Sequence, residues 1–204
     1  MRRINGHVHL IDDDQLMRAS LAIGLREIGY LVHEYAAAYE FLDQSMKMSP
    51  EVIVMEMQFP DMTGLELQKK LQFLKRHTPI IFIASHAAPQ QIVDGMKNGA
   101  VDFLFKPFAL TKLIESIGKA LKLDIIQSKA LADDLKAVKV RERFNTLSPR
   151  EKEVCHWIVK GLMNKEIAQK LGVTPSTIKI QKSKTLKKMN AASVQELSIA
   201  YITN

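Results

Sequence analysis

Within residues 1–122, a short apolar run is followed by a stretch of helical periodicity five times in succession, and that alternation admits few architectures. The apolar runs are His7–Ile11, Leu31–Tyr35, Val52–Glu56, Ile80–Ala84 and Asp102–Phe105. The helical stretches between and after them lie near Asp14–Ile28, Ala37–Ser45, Gly64–Lys75, Gln90–Asn98 and Leu110–Leu121. Strands alternating with helices predict an α/β fold, here a (βα)5 doubly wound parallel sheet with helices on both faces. Ligands and chemistry in such sheets gather beyond the carboxyl ends of the strands. The chain places acids there: Asp12 and Asp13 directly after the first strand, Glu56 at the end of the third.

Beyond Leu123 the pattern changes. Asp124–Val140 holds no glycine or proline, and Ile125, Leu131, Leu135 and Val138 recur at roughly helical spacing. This predicts a linker helix over residues 123–144 that continues the last helix of the first domain, with a flexible charged tether as the alternative. Residues 145–204 read as an all-α domain of four short helices. Ser148-Pro149-Arg150-Glu151 is a capping box with proline at the first helical position, and Gly161 ends that helix. Asn164 is placed to cap a second helix, Lys165–Leu171, which Gly172 terminates. Thr174 and Pro175 start a third, running to about Met189. Ser193-Val194-Gln195-Glu196 is a second capping box, opening the last helix, Val194–Ile202. So short a gap between the second and third helices is helix-turn-helix geometry.

Charge separates the two parts. The net charge is +7. Acids and bases cancel over residues 1–122, so the whole excess lies in residues 123–204. A polyanionic partner is expected there, and the helix-turn-helix geometry makes double-stranded DNA the candidate. The lone cysteine, Cys155, sits in an apolar helical stripe, reads as packing, and fits a reducing, cytoplasmic setting. The uncharged stretch at about Thr78–Val93 contains Pro79 and Pro89 and does not suit a membrane span. Met1–Gly6 runs straight into the first apolar segment, which predicts no signal peptide.

Three segments give residues 5–121 a specific resemblance: the acidic pair Asp12-Asp13, Phe59-Pro60-Asp61-Met62-Thr63-Gly64-Leu65-Glu66-Leu67, and Gly99-Ala100-Val101-Asp102-Phe103-Leu104-Phe105-Lys106-Pro107-Phe108. In these the chain resembles the receiver domains of two-component response regulators. The resemblance implies an aspartate after the third strand that takes a phosphoryl group. It also implies a magnesium ion held by that aspartate and the acidic pair, and a lysine on the opposite side. A Thr or Ser after the fourth strand then reads the mark, and an aromatic residue on the fifth reorients. Asp12, Asp13, Lys106 and Phe103 match their positions.

Two positions depart from the pattern. Glu56 stands at the phospho-acceptor position and Ala84 at the switch hydroxyl. Glutamate carries its carboxylate roughly 1.5 Å further out, and misplacement of about 1 Å can cost ~100-fold in an in-line reaction. Alanine has no hydroxyl. Strand alternation predicts that neighbouring Ser85 points to the other face and cannot stand in. The expectation is a receiver that works without phosphorylation. Either Glu56 pairs with Lys106 and imitates the activated state, or Glu56, Asp13 and Lys106 satisfy one another as a structural ionic cluster. Asp12, Asp13 and Glu56 also offer three oxygens of the kind that suits magnesium, although none is required.

Residues 145–202 look like the LuxR/FixJ/NarL-type helix-turn-helix. The matching segments are Leu147-Ser148-Pro149-Arg150-Glu151-Lys152-Glu153-Val154, Gly161-Leu162-Met163-Asn164-Lys165-Glu166-Ile167-Ala168 and Thr177-Ile178-Lys179. Ile178, Thr185 (or Gln181), Leu186 and Met189 form the expected inward stripe of the recognition helix. Lys179, Lys182, Ser183 and Lys187 lie on its opposite face, suited to a major groove. Lys165, Thr174, Ser176 and Thr177 sit near helix N-termini, where phosphate is favoured. The resemblance implies that Lys179, Ile180 and Ser183 approach base edges, while the remaining lysines, Lys184 among them, hold the backbone. It further implies dimer contact through the last helix, here at Val194, Leu197 and Tyr201, with packing within its own domain as the alternative. The expected function is sequence-specific transcription regulation by a non-enzymatic homodimer. A histidine kinase or another receiver-binding protein is a candidate partner, and no membrane is involved. The rival readings are a conventional phosphotransfer switch and a receiver that answers to a protein or ligand.

Overall fold

The computed structural model describes residues 5–43 and 48–202. The first unit carries β1 (His7–Ile11), α1 (Gln15–Ile28), β2 (Leu31–Tyr35), α2 (Ala38–Leu42), β3 (Glu51–Glu56), α3 (Gly64–Phe73), β4 (Ile80–Ala84), α4 (Pro89–Lys97) and β5 (Asp102–Phe105). All strand pairs are parallel, in the order β2-β1-β3-β4-β5. The expected end of the second helix, at Ser45, lies outside the described residues.

Strand alternation makes the two cores. Val8, Leu10, Val52, Val54, Ile81 and Ile83 turn to one face and pack with Leu21, Ala22 and Leu25 of α1. Ile11, Ile53, Met55 and Phe82 turn to the other and pack with Phe41, Leu67 and Leu71. Each such side chain contributes about 1.5–3 kcal/mol on burial, which is why continuous apolar runs rather than alternating ones mark these strands. His7 of β1 pairs in register with both Leu31 of β2 and Glu51 of β3, so connections leave in opposite senses from the centre of the sheet. The carboxyl ends of β1 and β3 flank that reversal and carry Asp12 and Glu56. Asp14 caps α1, accepting from the N–H groups of Leu16 and Met17 at 2.9 and 3.1 Å. Gly64 opens α3 so near β3 that a Cβ there would stand 2.7 Å from the Glu56 carbonyl oxygen. Only glycine fits that approach without displacing the strand end.

A buried polar cluster lies at the opposite ends of the strands. Glu51 accepts from His9 Nε2 at 3.2 Å, from the Thr78 hydroxyl at 2.7 Å and from the Met48 N–H at 3.1 Å. Burial alone would raise its carboxyl; these three bonds outweigh it and hold the group below the ordinary 4.5. A lowered folded-state value stabilises the fold above the unfolded value, and that contribution is lost as pH falls through the folded one. Glu51→Gln is therefore expected to lower the urea midpoint clearly at pH 7 and to approach the parent below about pH 4. An equal difference at both pH values would show that the charge is not responsible.

Helix α5 runs Leu110–Asn145 as one element, and the boundary between the compact units falls within it, after Lys129. Helical structure therefore covers the linker residues. Asp124, 1% exposed, accepts from Ser49 and from the Glu51 N–H, whereas Val140 and Phe144 pack on the core of the second unit.

That unit holds α6 (Pro149–Val159), α7 (Asn164–Leu171), α8 (Pro175–Met189) and α9 (Val194–Ile202). Ser148 and Glu151 form the expected reciprocal box, and Gly172 ends α7 in the left-handed region at φ 64°. Asn164 is not the cap of α7. Met163 holds that place, its N–H bound by Glu166 Oε2 at 2.6 Å, which leaves Asn164 as the first helical residue. At α9 the returning arm of the box goes to Ala192 N–H rather than to Ser193.

Candidate functional sites: an acidic pocket and a basic helix

The carboxyl ends of β1 and β3 and the segment after β5 converge on Lys106. Its Nζ lies 2.8 Å from Asp12 Oδ2 and 2.6 Å from Glu56 Oε2. Asp12 is fully buried and Glu56 is 8% exposed. Burial pulls the Lys106 ammonium down, but hydrogen bonds and charge from Asp12 and Glu56 outweigh it, and the net direction is up. Lys106 is accordingly a firmly charged clamp between two carboxylates, each of which would be costly to bury unpaired. The other oxygens are also engaged: Asp12 Oδ1 accepts from Asp14 N–H at 2.9 Å, and Glu56 Oε1 from Met57 N–H at 2.8 Å.

As described, the donors of the possible magnesium site are not turned to a common point. A magnesium site needs several oxygens at about 2.0–2.1 Å around one point. Here the ammonium stands between the two buried carboxylates, all four of whose oxygens already accept hydrogen bonds. Asp13 is exposed, and no group of three acidic, histidine or cysteine side chains suited to a metal assembles among the described residues. Asp13 also takes no part in the Lys106 clamp as described. Asp12 fills the place that the ionic-cluster reading gave to Asp13, because it is the first of the pair that turns inward.

A cavity of about 300 Å³ opens over this clamp, lined by Asp12, Asp13, Asp14, Glu56, Gln58, Ser85, His86 and Lys106. Ser85 was expected to face away, and the structure places it on this cavity. Strand β4 ends at Ala84, so alternation no longer governs the next residue. Ala84 itself is fully buried in the core facing α3. Phe103 is half-buried, its ring 6.0 Å from that of Phe82 and 5.2 Å from that of Phe105. Gln58 and His86 were not singled out from sequence, because both lie in loops where no periodicity orients a side chain.

In the second unit α8 sorts its residues as its stripe predicts. Ile178, Thr185 and Met189 are buried, with Leu186 and Gln181 beside them. Lys179, Ile180, Ser183, Lys184 and Lys187 are exposed, as are Lys165, Thr174 and Ser176; Ile180 is 58% accessible. Lys182 and Thr177 are only partly so, because each flanks the buried stripe. Thr174 caps α8, accepting from Thr177 N–H at 3.2 Å, and its hydroxyl lies 2.8 Å from Ser176 Oγ and 2.9 Å from Thr177 Oγ1. Three hydroxyls thus crowd one helix N-terminus, where the dipole favours anions. Lys188 is turned back to Glu151 at 2.6 Å. Lys160 and Lys170 stand over the Trp157 ring at 5.1 and 4.9 Å, a pairing that has no signature in residue spacing.

The last helix packs on its own domain along the line read from its spacing. Leu197 is fully buried, Val194 and Tyr201 pack on the same domain's core, and the Tyr201 hydroxyl lies 3.3 Å from His156 Nδ1. These three residues close their own domain. The outward side of α9 bears Gln195, Glu196 and Ile199. Spacing of three and four identifies one face of a helix, but not what covers it. Cys155 is buried, and burial pushes its thiol up to about 11, consistent with packing.

Comparison with known proteins matches residues 8–118 to the response regulator receiver domain and residues 145–200 to the bacterial regulatory proteins of the luxR family. The transcriptional regulatory protein FixJ of Rhizobium meliloti is 38% identical over 93% of this chain and 92% of its own. Nodulation protein W of Bradyrhizobium diazoefficiens is 36% identical over 93% of this chain and 82% of its own. Among solved structures, response regulator StyR shares 31% identity at a TM-score of 0.76, covering 97% of this chain and 98% of that one. Full-length FixJ from B. japonicum shares 33% identity at a TM-score of 0.58, covering 98% of both.

Proposed function

The chain belongs to the response regulators with a luxR-family DNA-binding domain, of the FixJ kind, and from that premise we propose that its receiver sustains the DNA-binding output without phosphoryl transfer and that it acts on DNA as a homodimer. Its relative FixJ is a transcriptional regulatory protein, and this chain is not an enzyme. No described helix is long and apolar enough to cross a membrane.

One observation carries the proposal: Glu56 Oε2 lies 2.6 Å from Lys106 Nζ. The extra methylene brings a carboxylate oxygen to the lysine, where a phosphoryl oxygen would be held in a receiver carrying the mark. Its other oxygen, Oε1, accepts from Met57 N–H at 2.8 Å, so the carboxylate is held in this orientation from both sides. Incubating the full chain with a small phosphodonor and magnesium should leave its intact mass unchanged; an added phosphoryl mass would end this reading. Ser85 among the cavity's lining residues favours a second reading, the conventional switch driven by a histidine kinase, since a hydroxyl-bearing residue borders this pocket. The same mass measurement decides between them.

On the DNA side, Lys179, Ile180 and Ser183 meet base edges, while Lys165, Lys184, Lys187 and the hydroxyls of Thr174, Ser176 and Thr177 hold phosphates. Lys182 takes a flanking phosphate at most. Lys179→Ala is expected to lower specific affinity by roughly 1–3 kcal/mol and to relax preference at one base pair. Lys165→Ala or Lys187→Ala should weaken all sequences alike and reduce the salt slope by about 1. Binding titrations at several salt concentrations check both. Equal losses on specific and nonspecific duplex for Lys179→Ala would remove it from the base-reading set.

A further inference from the structure

Three apolar residues of the linker helix are left about half exposed. Leu131, Leu135 and Val138 of α5 stand 48, 54 and 52% exposed, while Val140 and Phe144 on the other side of the same helix pack into the second unit's core. Their spacing of four and three puts them on one line along the helix. Ile125 lies off that line. Extending it by one step each way meets Ser128 and Glu142, so the apolar stretch is short and ends in polar residues on both sides.

We propose that this line is the seam along which α5 pairs, in parallel, with α5 of a second copy of the chain. The inference rests on the dimeric reading above and assigns it a surface on the linker helix. Spacing of four then three is that of coiled-coil core positions, with Leu131 and Val138 at d and Leu135 at a. In that frame Asp134 falls at g and Lys139 at e. In a parallel pair the g residue of one helix faces the e residue five positions later on its partner, so Asp134 meets the partner's Lys139, and the reverse contact is made by symmetry. Both side chains are exposed. The charges that flank the stripe are thus complementary to a second copy of themselves.

Three half-exposed side chains fall well short of the roughly 800 Å² per partner of a standard stable interface. The seam therefore does not hold free chains together; it closes when two DNA-binding domains sit on adjacent half-sites, where the local concentration of the second helix is high. A polar Ser128 and Glu142 at neighbouring core positions keep it from zipping further.

The test uses full-length chains bound to a duplex that the protein selects from a random-sequence pool. Single cysteines are placed at Leu131, Leu135 or Val138, and as controls at Asp133 or Lys136 on the far side of the helix. Oxidation in a glutathione buffer should link the stripe variants at least about fivefold more than the controls. In the Leu135→Cys background, Asp134→Lys alone and Lys139→Asp alone should each reduce linking, and the two together should restore it. Mass photometry of the same complexes counts the chains. Two chains per duplex with equal linking on both faces, or no recovery in the double exchange, overturns the seam and leaves the dimer standing. One chain per duplex overturns both.

Discussion

Glu56→Gln is expected to weaken DNA binding by the full chain roughly 5- to 150-fold, the usual range of coupling between two sites, while the fold survives. Glutamine keeps the length and volume of the side chain and removes only its charge. Lys106, whose side chain is 14% exposed, would then be neutralised by Asp12 alone. If the Glu56–Lys106 contact stands in for a phosphoryl group, the receiver loses the contact that biases it toward its active arrangement. A purely structural role makes a different prediction. Removing one partner of a buried ion pair costs about 3–5 kcal/mol of stability, with no change in affinity for the molecules that stay folded. Thermal unfolding and DNA titration on the same preparation separate the two. A lower melting temperature with unaltered affinity would refute the active-state role.

The second large effect is a gain. Glu56→Asp shortens the side chain by the methylene that brings it to Lys106 and frees a nucleophile of the family's length. Paired with Ala84→Thr it should give a dimerisation and DNA affinity that rise on exposure to a phosphodonor. Glu56→Asp alone should take up the mark and transmit it poorly. The structure adds a condition to this experiment. Ala84 is fully buried, so threonine there adds bulk to a packed core at about 1–3 kcal/mol, and the double variant should be compared with Ala84→Thr alone. Ser85 on the cavity wall makes the comparison sharper. Equal donor responses in the single and double variants would mean that Ala84 is not the missing reader, and that Ser85 serves.

Much of this was legible in the residues. Continuous apolar runs such as Val52–Met55 gave the parallel strands because both faces of such a sheet are covered, and His7–Ile11 and Ile80–Ala84 recur with the same bounds in the structure. The position of Asp12 and Glu56 followed from strand ends, and the inward stripe of α8 from its period. What escaped the sequence lies where periodicity stops. Ser85 is one residue beyond β4, Asn164 lost the capping role to Met163 because Glu166 reached the N–H before it, and Asp12 rather than Asp13 holds Lys106. What covers a helix face is hidden in a related way. Val194, Leu197 and Tyr201, and equally Leu131, Leu135 and Val138, are apolar lines whose spacing is alike; the first is buried in its own domain and the second is not. Spacing names a face, and only the packing of neighbouring elements says whether the chain covers it itself.

The claim at the centre is that the unmodified protein already holds its DNA-binding state. It is tested most directly by the dissociation constant of the full chain for its selected duplex, measured at one salt concentration with and without a small phosphodonor and magnesium. The account predicts tight, salt-sensitive binding in both, differing by no more than about twofold. Tightening by tenfold or more on addition of the donor, about 1.4 kcal/mol, would contradict it.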